Sequence, residues 1–160
     1  MRARLASSLL VTLVVAASSL NAQAAAPAAA PAAAPALQWG PAPDAFPAGA
    51  KMAVVSGDPG KPVMFTVQLS MPDGYRIPAH SHPTDETVEV KSGSFLYGMG
   101  DALDAAKLQP MAVGQKGTIP AGMHHFAQAK GATVVAVTAM GPFAMTYVNP
   151  ADDPRKPTKP

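Results

Sequence analysis

Gly74–Gly93 reads GYRIPAHSHPTDETVEVKSG, and the fold turns on how this stretch is taken. His80 and His82 are two apart, so on an extended strand their side chains leave the same face. Glu86 follows four residues after His82, across a Pro-Thr-Asp segment that reads as a bend. Two imidazoles and a carboxylate on one face make half of a divalent-metal shell. The remaining ligand is expected from a second cluster, Pro120-Ala-Gly-Met-His-His, and the two clusters contain all four histidines of the chain. Adjacent strand residues point to opposite faces, so only one of His124 and His125 can join the set.

Around these clusters the texture is that of short strands. Pro62–Ser70 alternates, with Val63, Phe65, Val67 and Leu69 against Met64, Thr66, Gln68 and Ser70. Pro72-Asp73-Gly74 is a turn, because proline fixes the first φ and glycine supplies the positive one. Glu86–Lys91 places Glu86, Val88 and Val90 on one face, and Glu89 on the other, toward solvent. Ser92-Gly93 reads as a tight hairpin into Ser94–Met99, and Asp101–Lys107 as either a short helix capped by Asp101 or a loop. Further strands are expected at Met52–Ser56, Leu108–Val113, Gly117–Ile119, His125–Lys130, Thr133–Met140 and Phe143–Val148. Eight to ten short strands with almost no helix predict an all-β, antiparallel sandwich or barrel.

The termini read differently. Residues 1–24 have the pattern of a secretory signal peptide: Arg2 and Arg4, an apolar run from Leu9 to Leu20, and Ala22-Gln23-Ala24 as the cleavage site. The apolar run is short of the ~20 residues that span a bilayer, so no stable membrane insertion is expected after cleavage. Residues 25–49 are an Ala/Pro-rich linker and N-terminal arm, whose Leu37, Trp39 and Phe46 are expected to lie against the domain or a neighbouring subunit. The domain is placed at 50–150, with a polar, proline-rich, flexible tail over 151–160. Periplasmic or secreted localisation follows from the leader. There is no cysteine, which excludes disulfides and thiolate sites. Without Arg2 and Arg4, ten basic residues face ten acidic ones, scattered singly, so a nucleic-acid partner has no electrostatic footprint.

At this point the residues resemble a family. Gly74, His80, His82, Glu86 and Gly93 match every fixed position of the first cupin motif, and Gly114, Pro120, Gly122 and His125 match the second. Ala129 stands where that second motif usually has Asn. The resemblance covers residues 50–150 and implies a small single-domain jelly-roll barrel. It implies His80, His82, Glu86 and His125 as metal ligands, its spacing selecting His125 over His124. A shell of three imidazoles and a carboxylate suits Mn, Fe, Co, Ni, Cu or Zn and leaves one or two positions open on a six-coordinate ion. The implied activity is that of an oxygenase-type enzyme on a small organic substrate. The alternative is a non-catalytic, metal- or ligand-binding or sensor protein. Tyr97, Tyr147 and Arg76 could orient a substrate, although core packing for the tyrosines and a surface salt link for Arg76 are the expectation. The methionines are expected as gap-filling core. Thr133–Met140, apolar on both parities, predicts a homodimer.

Overall fold

The structure is a computed structural model that describes residues 36–156. The expected signal peptide and the linker up to residue 35 lie outside the described residues, as do residues 157–160. Nine strands form one antiparallel sheet that curls into a jelly-roll: β1 (Gly40–Pro41), β2 (Lys51–Ser56), β3 (Met64–Met71), β4 (Arg76–Ser81), β5 (Glu86–Met99), β6 (Gln109–Met111), β7 (Lys116–Ile119), β8 (His125–Met140) and β9 (Thr146–Tyr147). Among the described residues no helix is long and apolar enough to cross a membrane.

The spine is the pairing of β5 with β8, from Glu86 opposite Ala139 to Met99 opposite His125. The other edge of β8 takes β3 along its second half and β4 along its first. Alternation explains which face turns inward. In β3, Phe65, Val67, Leu69 and Met71 are buried, while Thr66, Gln68 and Ser70 face outward between neighbouring strands. Thr66 and Thr138 share a hydrogen bond of 2.9 Å on that outer face, and Thr87 and Thr118 another of 3.0 Å. Glu89 also faces outward, paired with Lys91 at 2.8 Å and Lys116 at 3.1 Å.

Several local expectations are corrected. Ser92-Gly93 is not a hairpin, because β5 runs through it and the register against β8 shifts on both sides of Ser92. A Ser-Gly pair suits a bulge as well as a turn, since both use glycine at positive φ. Gly93 has φ +81°, and Gly131 on the bent partner strand has φ +75°. The extra residue flips the parity, so Val88 and Val90 point inward before the kink and Phe95 after it. The Thr133 hydroxyl spans the bend by accepting from Ser94 N at 3.2 Å. His125–Lys130 and Thr133–Met140 are likewise one bent strand, and the last strand shrinks to Thr146–Tyr147. The helix or loop expected at Asp101–Lys107 is a single 3-10 turn, Ala105–Lys107, capped by Asp104. The described part of the tail expected to be flexible, residues 151–156, folds back on the domain: Asn149 caps a 3-10 turn, and Arg155 donates to the Met145 carbonyl at 2.9 Å.

The arm contributes one buried side chain to the core, with Ala42 and Ala45 packed beside it. Phe46 is buried, whereas Trp39 is 42% exposed. At Ala129, where Asn is usual, the backbone makes the local links: Ala129 N donates to Tyr75 O at 2.8 Å and its carbonyl accepts from Gly74 N at 3.1 Å.

Glycine substitutions test the bend. Gly74 and Gly93 both have positive φ, but a Cβ at Gly74 meets nothing within 4 Å, whereas at Gly93 it would lie 2.3 Å from Ala132 O. Gly74→Ala should cost about 1–2 kcal/mol from backbone strain, and Gly93→Ala at least about 3 kcal/mol. Urea denaturation of the two variants measures both, and equal losses would contradict the crowding at the kink.

Candidate metal centre

The four residues singled out by spacing arrive from three places in the fold. His80 lies near the end of β4, directly opposite His125, the first residue of β8. His82 follows one residue beyond β4, and Glu86 opens β5. Two hydrogen bonds donated by backbone N–H groups tie the loops that carry them. Ala121 N donates to the Asp85 carboxylate at 2.8 Å, and Gly122 N to the His82 carbonyl at 2.8 Å. The Pro120–Met123 turn is thereby fastened to the bend between His82 and Glu86.

All four side chains are buried: His80, His82, Glu86 and His125 are 3–8% exposed. One nitrogen from each of the three imidazoles lies within 4.8 Å of the others. Glu86 reaches into the same space, with Oε1 at 3.6 Å from His82 Nε2 and Oε2 at 3.2 Å from His125 Nε2. His124 points away, its Nδ1 at 2.7 Å from exposed Asp101.

Each ring is oriented by its other nitrogen. His80 Nδ1 donates to Pro78 O at 2.7 Å, His125 Nδ1 to Met123 O at 3.0 Å, and His82 Nδ1 to Ala144 O at 2.8 Å. A carbonyl can only accept, so each neutral ring carries its proton on Nδ1 and turns a bare Nε2 lone pair toward the cluster. The buried Nε2 atoms of His82 and His125 have no hydrogen-bond partner. The Glu86 contact to His125 lacks hydrogen-bond geometry. It is an ion contact when that ring is charged and an acceptor facing an acceptor when it is neutral. Nitrogen and oxygen donors spaced 3.2–3.6 Å apart fit around an ion bound at roughly 2.0–2.2 Å, so the cluster could hold a metal.

Burial pushes the His80 imidazolium down to about 3, and nearby His125 and His82 push it the same way. Glu86 is held below the ordinary carboxylate range. Burial opposes its charge, but contact with His125 and the charges of His82, His125 and His80 outweigh it.

A cavity of about 40 Å³ adjoins the cluster, touching His80, Glu86 and His125. Its other walls are apolar apart from the phenol of Tyr97, among them Ile77, Val88, Phe95 and Met145. No lysine or arginine lines it. Arg76 is exposed, with no ion pair among the described residues. Tyr147 is buried, its hydroxyl donating to Ala45 O at 2.7 Å. Burial raises its phenol to about 12 and that of Tyr75 likewise upward, so both remain donors.

Sequence spacing did not point to Phe143, whose ring lies 5.1 Å from that of His82, nor to the Ala144 carbonyl that orients that ring. A backbone acceptor 62 residues from its histidine has no signature in residue type.

No family profile and no curated protein matches the chain. Solved structures do. A proposed acetylacetone dioxygenase from Methylibium petroleiphilum is 21% identical, with 75% of this chain and 81% of that one covered at a TM-score of 0.57. The polyketide cyclase RemF from Streptomyces resistomycificus is 18% identical over 66% and 75% of the two chains, with a TM-score of 0.55. An RmlC-like cupin from Shewanella frigidimarina is 16% identical over 57% and 76%, with a TM-score of 0.49. At these identities the likeness is one of fold alone.

The titration of His80 gives a signed test on metal-free protein. An unfolded histidine takes up a proton near pH 6.5, and the folded one only near 3. Stability is therefore unaffected above about pH 7 and falls on acidification between about 6.5 and 3, by up to about 1.4 kcal/mol per pH unit. Glu86 adds a loss of the same sign below its ordinary value of 4.5. Urea unfolding in chelator at several pH values should show this slope, flattened in His80→Asn. A stability curve that is level from pH 7 to 4 would refute it.

Proposed function

We propose that His80, His82, Glu86 and His125 hold one divalent transition-metal ion, and that the loaded protein acts on a small organic molecule as an oxygenase-type enzyme. The observation that supports this most is the set of bare Nε2 lone pairs facing a buried carboxylate. Such donors buried together repel one another unless a cation lies among them. When bound, the ion supplies Lewis-acid polarisation and, if redox-active, electron transfer.

The chain's own residues supply the rest. The Pro78, Met123 and Ala144 carbonyls hold the three rings in one tautomer and aim. The apolar walls exclude water from the adjoining cavity, which strengthens any polar contact made inside it. A substrate there lies against His80, Glu86 and His125 and within reach of Tyr97. The dioxygenase description of one fold neighbour is in keeping with this reading. A second reading, non-catalytic binding of the metal or a ligand, is favoured by the lack of any titratable lining group beyond the cluster and Tyr97. Export by the predicted leader, and pairing of two copies over exposed Val54, Val55, Met64 and Met140, belong to the same proposal.

Elemental analysis of the purified protein should find one equivalent of a transition metal. His80→Ala and His125→Ala should each reduce it to near zero, while His124→Ala retains it. Loss in His124→Ala with retention in His125→Ala would overturn the ligand set. Oxygen uptake with a panel of small chelating substrates then separates the readings, and no uptake with any metal selects the binding one.

A further inference from the structure

A second cavity, also of about 40 Å³, lies on the far side of Phe46 from the cluster's own. Its walls include Pro43, Met52, Phe65, Val67 and Phe143, and no polar side chain lines it. Phe46, Leu69 and Val137 wall both cavities. Leu69 and Val137 lie diagonally on neighbouring strands of the sheet, Leu69 opposite Val135 and Val137 opposite Val67. Phe46 alone of the three comes from the arm.

That phenylalanine is pinned on both sides. The Tyr147 hydroxyl donates to Ala45 O at 2.7 Å and the Tyr75 hydroxyl to Pro47 O at 2.5 Å. Phe46 N donates to Pro43 O at 2.9 Å, and Ala42 N to Ala50 O at 3.0 Å closes the loop. The ring stacks on Phe143 at 5.8 Å, nearly parallel. A partition fixed by two flanking hydrogen bonds has a defined position between the two spaces.

Neither cavity offers a cation to a charged ligand, and a cavity with wholly apolar walls stays dry and accepts apolar guests. We propose that the outer cavity is a separate binding chamber for a small uncharged apolar guest, with Phe46 as the residue that keeps it apart from the cavity at the histidine cluster. The outer chamber is a property of apolar walls.

Xenon is the probe. Crystals of the protein under xenon pressure should show anomalous density in both cavities as two separate sites. Phe46→Ala should merge them and raise benzene affinity, measured by NMR titration, at least tenfold over the wild type. Val67→Phe, which fills only the outer cavity, should remove the outer xenon site and keep the inner one. If either variant fails to fold, Phe46→Leu and Met52→Phe carry the same measurements. Ordered water in the outer cavity, or xenon in the inner one alone, would overturn the proposal. Metal content of the same samples keeps the two claims apart. Xenon in both cavities of a protein that takes up no metal would sink the metal reading and leave the chamber standing.

Discussion

The structure depends on gathering four electron-pair donors in a place from which water is excluded. Three imidazole nitrogens within 4.8 Å of one another, with a carboxylate 3.2–3.6 Å from two of them, all but inaccessible, are unfavourable neighbours by themselves. Transfer of a polar group to an apolar interior without a partner costs roughly 2–7 kcal/mol. Two such atoms, His82 Nε2 and His125 Nε2, are a substantial fraction of the roughly 5–15 kcal/mol that holds a domain together. Something else must hold them in place, and the surrounding backbone does.

That backbone support is distributed. His80 and His125 use the same local device, a ring N–H returned to the carbonyl two residues earlier. His82 lacks it and relies on Ala144, near the far end of the chain. The loop links through Asp85 and Gly122 add a second level, holding the two motifs together irrespective of what the rings bind. The aim of the rings is thus set by the chain's own backbone, which limits the reorganisation that binding requires.

This division explains what could be seen in the sequence. Residues 74–93 carry their information locally, in the parity of His80 and His82 and the offset of Glu86, so the cluster was legible from spacing. The antiparallel all-β class was legible from alternation in Pro62–Ser70 and the frequency of turn residues. The kink at Ser92-Gly93 was not, because the same glycine chemistry serves a hairpin and a bulge, and only the partner strand at Gly131 decides between them. Asp101 was assigned as a cap, but its carboxylate is taken by His124, a long-range pairing that outweighs local preference. Phe46 was one apolar residue in a proline-rich arm, and nothing nearby in sequence marks it as a wall of two cavities.

The arm therefore belongs to the site physically, although its composition is that of a linker. Tyr75 stands just before β4, which carries His80, and Tyr147 is opposite His80 in β9. Their hydroxyls hold residues 45 and 47, so Phe46 is positioned by the same part of the sheet that positions a cluster histidine. A shift of β4 or β9 would move the ring and the partition together. Proline and alanine suit this role, because an arm with few side-chain conformers to lose orders at low entropic cost. The apolar contacts of Phe46 can then go into closing the barrel against water, the condition under which a charged cluster interacts most strongly with what it binds.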